Sequence, residues 1–243
     1  MRGMQDRAEV VSAFHAGDMQ RTQALSRRAL EAARASGDAA AEVDALCWLA
    51  RVELAAHDYK GVERLAAEGA AIATRSGDLR NTRMPLHLQA AAARMAGDLP
   101  RARALYERSI DLNRELGEAK MVAGEQRNLA YVELSDGHER RAVDLLVMAR
   151  AGARESGYAS ITPYLVADAA VIAAIDGDPV AAARLLATAE SALAAMGRVP
   201  DPDEAVEQRR LRERLVAALG PERFATAYDA GRGGAVDEAL GSV

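Results

Sequence analysis

The 243 residues carry 31 Lys and Arg against 36 Asp and Glu, a formal net charge of −5 with both signs mixed along the chain, and a single cysteine. That balance leaves no basic footprint for direct nucleic-acid binding, and one cysteine excludes an internal disulfide or a multi-cysteine zinc site. No uncharged apolar run reaches the ~18 residues that would span a bilayer. A cytoplasmic chain with no cofactor, no metal and no membrane partner is expected. Half of the residues are hydrophobic but only 4% aromatic, and the dominance of Ala and Leu favours helix. Lys60 and Lys120 are the only lysines, and the heavy use of Ala, Arg and Gly points to a bacterial genome of high G+C content.

From the N-terminus onward, glycine recurs every 20 residues: Gly17, Gly37, Gly77, Gly97, Gly117, Gly137, Gly157, Gly177 and Gly197, with His57 in the one vacant place. Asp follows at Asp18, Asp38, Asp58, Asp78, Asp98 and Asp178. A glycine ends a helix in the left-handed conformation, and an Asp caps the next one, so each marker predicts a joint between helices. Reading at a spacing of 40 separates two kinds of helix. One carries Leu25, Leu65, Leu105, Leu145 and Leu185, with the small column Ala29, Gly69, Ser109, Ala149 and Ala189 four residues further on. Its partner carries Val10, Ala50, Ala90, Ala130 and Ala170. Small residues let helices approach closely, and the leucines are expected to fill the space between pairs.

Five helix pairs are therefore predicted, over about 4–36, 39–76, 79–116, 119–156 and 159–196, each unable to bury its apolar face alone. Pro85 and Pro163 fall near first turns, and Pro179 directly follows a capping Asp, where a missing amide is tolerated. The register stops at Arg198-Val-Pro-Asp-Pro-Asp203, a loop and a fresh helix start. Two tail helices are predicted beyond it, one with Val206, Leu211, Leu215, Val216 and Leu219, the other with Phe224 and Tyr228. Together they read as a cap on the last open repeat face. The division is thus residues 1–197 as repeats and 198–243 as capping helices and tail.

The stretch Gly97-Asp-Leu-Pro-Arg-Ala102-Arg-Ala-Leu105-Tyr106-Glu-Arg-Ser109 resembles the tetratricopeptide repeat, which wants Gly-Asp followed by small, aromatic and small residues. The period of 40 exceeds that family's usual 34, as in the long-helix variants of kinesin light chains and large bacterial regulators. The tail, Leu219-Gly220-Pro-Glu-Arg-Phe224-Ala-Thr-Ala227-Tyr228 and then Val236-Asp-Glu-Ala-Leu240, is similar to the C-terminal end of LuxR-type and SARP-type transcriptional regulators. The resemblance implies an all-α, right-handed TPR-like α-solenoid of five helix pairs with a C-terminal helical cap. It also implies a role in bacterial regulation through the repeat region.

No catalytic signature is present: no Walker loop, no Gly-x-Ser-x-Gly, no His-Glu-x-x-His and no Cys-x-x-Cys. His15, His57, His87 and His138 never sit three or four apart, so no helix offers a histidine pair to a metal. Gly231-Arg-Gly-Gly234 reads as a flexible turn, Arg209 to Arg214 as a solvated, salt-bridged face, and Cys47 as a packing residue. The remaining candidate is the concave groove. The lining register of the resembled family falls on Arg7, Val11, Phe14, Asp44, Cys47, Arg51, His87, Arg94, Arg127, Tyr131 and Tyr164. Of these, Arg51, His87, Arg94, Arg127, Tyr131 and Tyr164 are the expected ligand-binding residues, because Arg forks onto carboxylates and Tyr offers broad contact with a polar tip. A non-catalytic binding, scaffold or sensor module follows, taking a peptide, a protein segment or a small acidic ligand. The rival is an enzyme or accessory protein of a biosynthetic pathway, with His87 or Tyr131 moving a proton. Oligomeric state is left open.

Overall fold

A computed structural model describes residues 2–241, with side chains over 7–236 and 239–241. Met1 and residues 242–243, the outer ends of the two predicted regions, lie outside it. The described residues hold helices and no strand. Five antiparallel pairs run in order: α1 (Arg2–His15) with α2 (Met19–Ser36), and α3 (Ala39–Ala55) with α4 (Tyr59–Ser76). Then come α5 (Arg83–Met95) with α6 (Leu99–Glu115), α7 (Ala119–Ser135) with α8 (Glu139–Glu155), and α9 (Thr162–Ile175) with α10 (Pro179–Ala195). Short 3-10 turns, Leu79–Thr82 and Ala159–Ile161, lead into α5 and α9, and Pro163 sits in the first turn of α9.

The joints form as the capping chemistry predicts. All nine marker glycines have positive φ, and His57 takes the same left-handed conformation at φ 59° in their place. Asp18, Asp38, Asp58, Asp98 and Asp178 each accept a hydrogen bond from the amide three residues on. Asp78 caps the 3-10 turn instead, through Arg80. Where the marker is followed by Glu118, His138 or Tyr158 there is no such side-chain bond.

The core differs from expectation by one residue. Of the leucine column only Leu65 is buried, and Leu25, Leu105, Leu145 and Leu185 are half-buried, whereas Ser26, Ala66, Tyr106, Leu146 and Leu186, one position on, are all buried. In an Ala-rich helix several stripes satisfy the same period, and the one that meets two neighbouring helices at once is the buried one. The leucines instead flank this seam, Leu145 packing against the clusters around both Tyr106 and Leu146. Of the small column, Gly69, Ser109, Ala149 and Ala189 are buried and Ala29 is partly buried.

The tail departs further. Three helices follow the array: α11 (Pro202–Leu219), α12 (Pro221–Gly231) and α13 (Val236–Gly241). Only part of this tail caps the last repeat. Phe224 and Ala227 of α12, with Leu211, Leu215 and Leu219 of α11, cover Ala182, Ala183 and Leu186 of α10. The first half of α11 runs into the concave face, among α5, α7 and α9. The reason lies in its stripe: Asp203 and Glu204, Glu207, Leu211, Leu215 and Leu219 follow one another about every four residues along one side. The apolar end meets α10, and the acidic end meets arginines. Gly231 to Gly234 is a turn as expected, with Gly233 at positive φ, but its first glycine is packed against α10. A Cβ on Gly231 would lie 2.1 Å from the carbonyl oxygen of Arg184, so only glycine allows α12 to end this close to α10. The Thr188 hydroxyl donates to the Gly231 carbonyl at 2.9 Å. Arg212 in the basic run pairs with Glu190 and stacks 4.5 Å over the Tyr228 ring.

Candidate functional site

The inner helices α1, α3, α5, α7 and α9 place one wall each around a cavity of about 400 Å³. Its roof is the stretch that joins α10 to α11 and the first turn of α11, contributing Arg198, Asp201, Pro202, Asp203 and Glu204. This roof is anchored on the first pair of helices: the Val199 amide donates to the His15 carbonyl at 2.8 Å. Phe14, Trp48, Tyr158 and Tyr164 supply aromatic walls, and Leu54, Met84, Leu88, Met121 and Ile161 apolar ones.

Four of the six expected ligand-binding residues, Arg51, His87, Arg127 and Tyr164, line this cavity together. Tyr131 does not: it borders a separate space of about 300 Å³ beyond α11, with Glu207, Arg210 and Arg214. Its hydroxyl donates to Asp168 at 2.7 Å, so His87 and Tyr131 do not share a pocket. Arg94 lies beneath α11 with its side chain only 1% exposed. Of the wider lining register, Arg7, Asp44 and Cys47 border another cavity of about 510 Å³ between the first two repeats. Cys47 is buried there, and burial pushes its thiol up to about 12.

The concave arginines fall into two electrostatic classes. Arg94 bonds Asp203 at 2.6 Å and Glu207 at 2.8 Å. Arg127 bonds Asp168 at 2.7 Å and grips Glu204 with both terminal nitrogens, between the rings of Tyr131 and Tyr164. Their counter-charges thus come mainly from α11, with Asp168 of α9 added for Arg127. Burial pushes Asp168 up to about 6, against the pull of Arg127, with Glu204 adding to the rise. Burial would lower His87, but the Glu125 carboxylate, 3.1 Å from its Nδ1, outweighs this and raises it. Glu125 in turn accepts from the Ser109 hydroxyl at 2.9 Å, and these partners hold its pKa below the ordinary value despite burial.

Arg51 is placed differently. Its guanidinium lies 5.5 Å from the Phe14 ring centroid and 5.3 Å from that of Trp48, a double cation–π clamp. Its nearest carboxylate, Asp201, stands 3.8 Å away, beyond hydrogen-bond reach. Arg198 sits over Tyr164 and approaches His15 Nε2 at 3.2 Å. Burial, with Arg198 and Arg51 adding repulsion, pulls His15 down to about 4, so the ring is neutral near pH 7 and accepts from Arg198. Asp201 is raised by burial and by Asp203 and Glu204, against Arg51. Arg198, His15 and Trp48 were not expected as site residues. Arg198 gains its place only through the fold-back of the roof, for which the sequence around it carries no signal beyond the two prolines.

Among the described residues no cluster of His, Cys, Asp and Glu is arranged to hold a metal. Among the same residues no helix is long and apolar enough to cross a membrane.

No protein-family model and no curated protein matches the sequence. Solved structures do. The apo form of RapI aligns over 99% of this chain and 85% of its own, with a TM-score of 0.70 at 13% identity. A Rap protein complexed with competence and sporulation factor aligns over 99% and 72%, with a TM-score of 0.61 at 16% identity. BtubC (BKLC) from P. vanneervenii aligns over 92% and 89%, with a TM-score of 0.59 at 20% identity. At such identities the likeness concerns architecture, and the architecture is a tetratricopeptide-like α-solenoid.

Proposed function

We propose that the chain is a non-catalytic binding module of a regulatory type, with its ligand in the roofed cavity of the concave face. The observation that carries this is the cavity itself: about 400 Å³, walled by all five inner helices, within the range of small-ligand sites. A structure of similar fold is complexed with competence and sporulation factor, which supports a peptide or protein segment as the guest; a small acidic ligand is the other guest class proposed. Gly124 adds a local argument. A glycine within α7 costs helix stability of about 0.5–1 kcal/mol relative to Ala, yet a Cβ there would meet nothing within 4 Å. No neighbour demands the glycine, but it lines the cavity and keeps it open.

The test fills that space. Gly124→Leu is expected to leave the helical content intact, hold or raise the melting temperature, and abolish ligand retention seen by native mass spectrometry of the gently purified protein. A variant that retains the same ligand would place binding elsewhere.

A further inference from the structure

We infer that Arg51 and Arg198 form a carboxylate-binding site at the mouth of the cavity, and that its ligand joins this carboxylate to an aromatic or apolar body. The inference rests on the binding-module reading above and names the ligand chemistry of that same cavity. It follows from unspent hydrogen-bonding capacity. An arginine carries five N–H donors in a planar fork suited to a carboxylate. Arg94 and Arg127 spend theirs on Asp203, Glu207, Asp168 and Glu204. Arg51 makes no hydrogen bond among the described residues, while Phe14 and Trp48 fix its plane from two helices. Arg198 makes one, to His15, and its Nε is buried without a partner. A buried donor left unmatched costs stability, and two oriented guanidiniums with spare donors amount to a preorganised oxyanion receptor.

The chain already shows what the receptor accepts. Asp201 stands 3.8 Å from Arg51 and within reach of the Tyr164 hydroxyl at 3.4 Å. It lies at the edge of the site without completing a bidentate pair. A ligand carboxylate seated between the two arginines would make the bonds that Asp201 does not. Behind the arginines, Phe14, Trp48, Tyr158 and Tyr164 with Met84 and Ile161 offer flat apolar walls, so the group attached to the carboxylate is a ring or an apolar chain and not a sugar or polyphosphate. A free organic acid and the C-terminus of a peptide both present this chemistry.

Trp48 is the only tryptophan and borders both this cavity and the neighbouring one beside Cys47, so the Arg51 and Arg198 variants assign any emission change to this site. The experiment titrates the full chain with 3-phenylpropionate, with its neutral amide, and with a tripeptide ending in phenylalanine as free acid or amide. The acids are expected to shift Trp48 emission saturably and to bind at least about tenfold more tightly than their amides, the scale of a charge-assisted hydrogen bond. Arg51→Gln and Arg198→Gln should each weaken the acids by about tenfold and leave the amides unchanged. Arg51→Lys should restore only part of the loss, because a point charge lacks the fork. Asp201→Asn should tighten the acids by removing a competing carboxylate. Circular dichroism confirms that each variant is folded. Preference for the phenylpropionate or for the tripeptide decides between a small acid and a chain terminus. Equal binding of acids and amides, no acid binding into the millimolar range, or weaker binding in Asp201→Asn would overturn the carboxylate site. The binding-module reading would still stand or fall separately on Gly124→Leu, which blocks a guest of any charge.

Discussion

The concave face carries one arginine on each of three consecutive inner helices, Arg51 on α3, Arg94 on α5 and Arg127 on α7, yet the three meet different fates. Arg94 and Arg127 face the acidic half of α11 and are buried against it. Arg51, one repeat earlier, meets only the start of that helix, a looser ion pair with Asp201 at 3.8 Å, and makes no hydrogen bond to it. The difference teaches that position in a repeat decides where a side chain points, whereas its role depends on whether the chain itself brings a counter-charge across the groove. An arginine neutralised by its own tail is a fold determinant. One whose hydrogen-bond donors the chain leaves unused is the proposed receptor.

The largest expected effect breaks the buried side of this comparison. Arg127→Ala strands Asp168 and Glu204 without their counter-ion in a region that water does not reach. Losing one partner of a buried ion pair costs about 3–5 kcal/mol, so chemical denaturation should show an unfolding free energy lower by that amount. Arg51→Ala should cost far less. Equal losses would mean that Arg51 too is a structural residue.

Packing gives the next contrast. Leu146, 1% exposed, should cost about 2–5 kcal/mol on truncation to Ala. Its half-buried neighbour Leu145 should lose about 1–2 kcal/mol, in keeping with partial burial. Thermal melts in which Leu145→Ala is the worse of the two would return the seam to the leucine column.

A third contrast is a pH dependence. Burial raises Asp168 from its ordinary 3.8 to about 6 in the folded chain. Folding therefore favours its protonated form: the stabilising contribution is fully present below the unfolded value and is lost as pH rises through about 6. The stability difference between wild type and Asp168→Asn should shift against wild type across that interval, read as melting temperature against pH. A flat difference would show that Arg127 keeps Asp168 ionised throughout.

These contrasts also mark what was legible from residues alone. The joints were, because helix capping is local: glycine or His57 in the left-handed conformation and an Asp whose carboxylate reaches the third amide need nothing from elsewhere in the chain. The leucine seam was misplaced by one position because alanine fits several stripes of the same helix. The lining of the cavity by Arg51, His87, Arg127 and Tyr164 followed from the lining register of the resembled repeat family. The burial of Arg94 did not, since its partners, Asp203 and Glu207, lie 109 and 113 residues away. Nor did Arg198, whose contact with His15 spans 183 residues. The run Asp203, Glu204, Glu207, Leu211, Leu215 was the available clue, acidic at one end and apolar at the other.

One bond in the roof has a wider bearing. A linear stack of repeats has two loose ends, and its outermost units peel away first because each is held from one side only. Here the Val199 amide is tied to the His15 carbonyl, and the Val199 side chain lies against Gly17, where a Cβ would sit 3.3 Å from it. The last repeat is thereby fastened to the first, and the stack becomes a closed circuit. Fraying at either end must break the same clasp, so the two termini share one opening event. The closure entropy of so long a circuit grows only with the logarithm of its length, so a single well-placed bond and a few contacts around it can hold the circuit shut. Whatever opens the clasp, a guest beneath the roof included, is felt at both ends of the molecule at once.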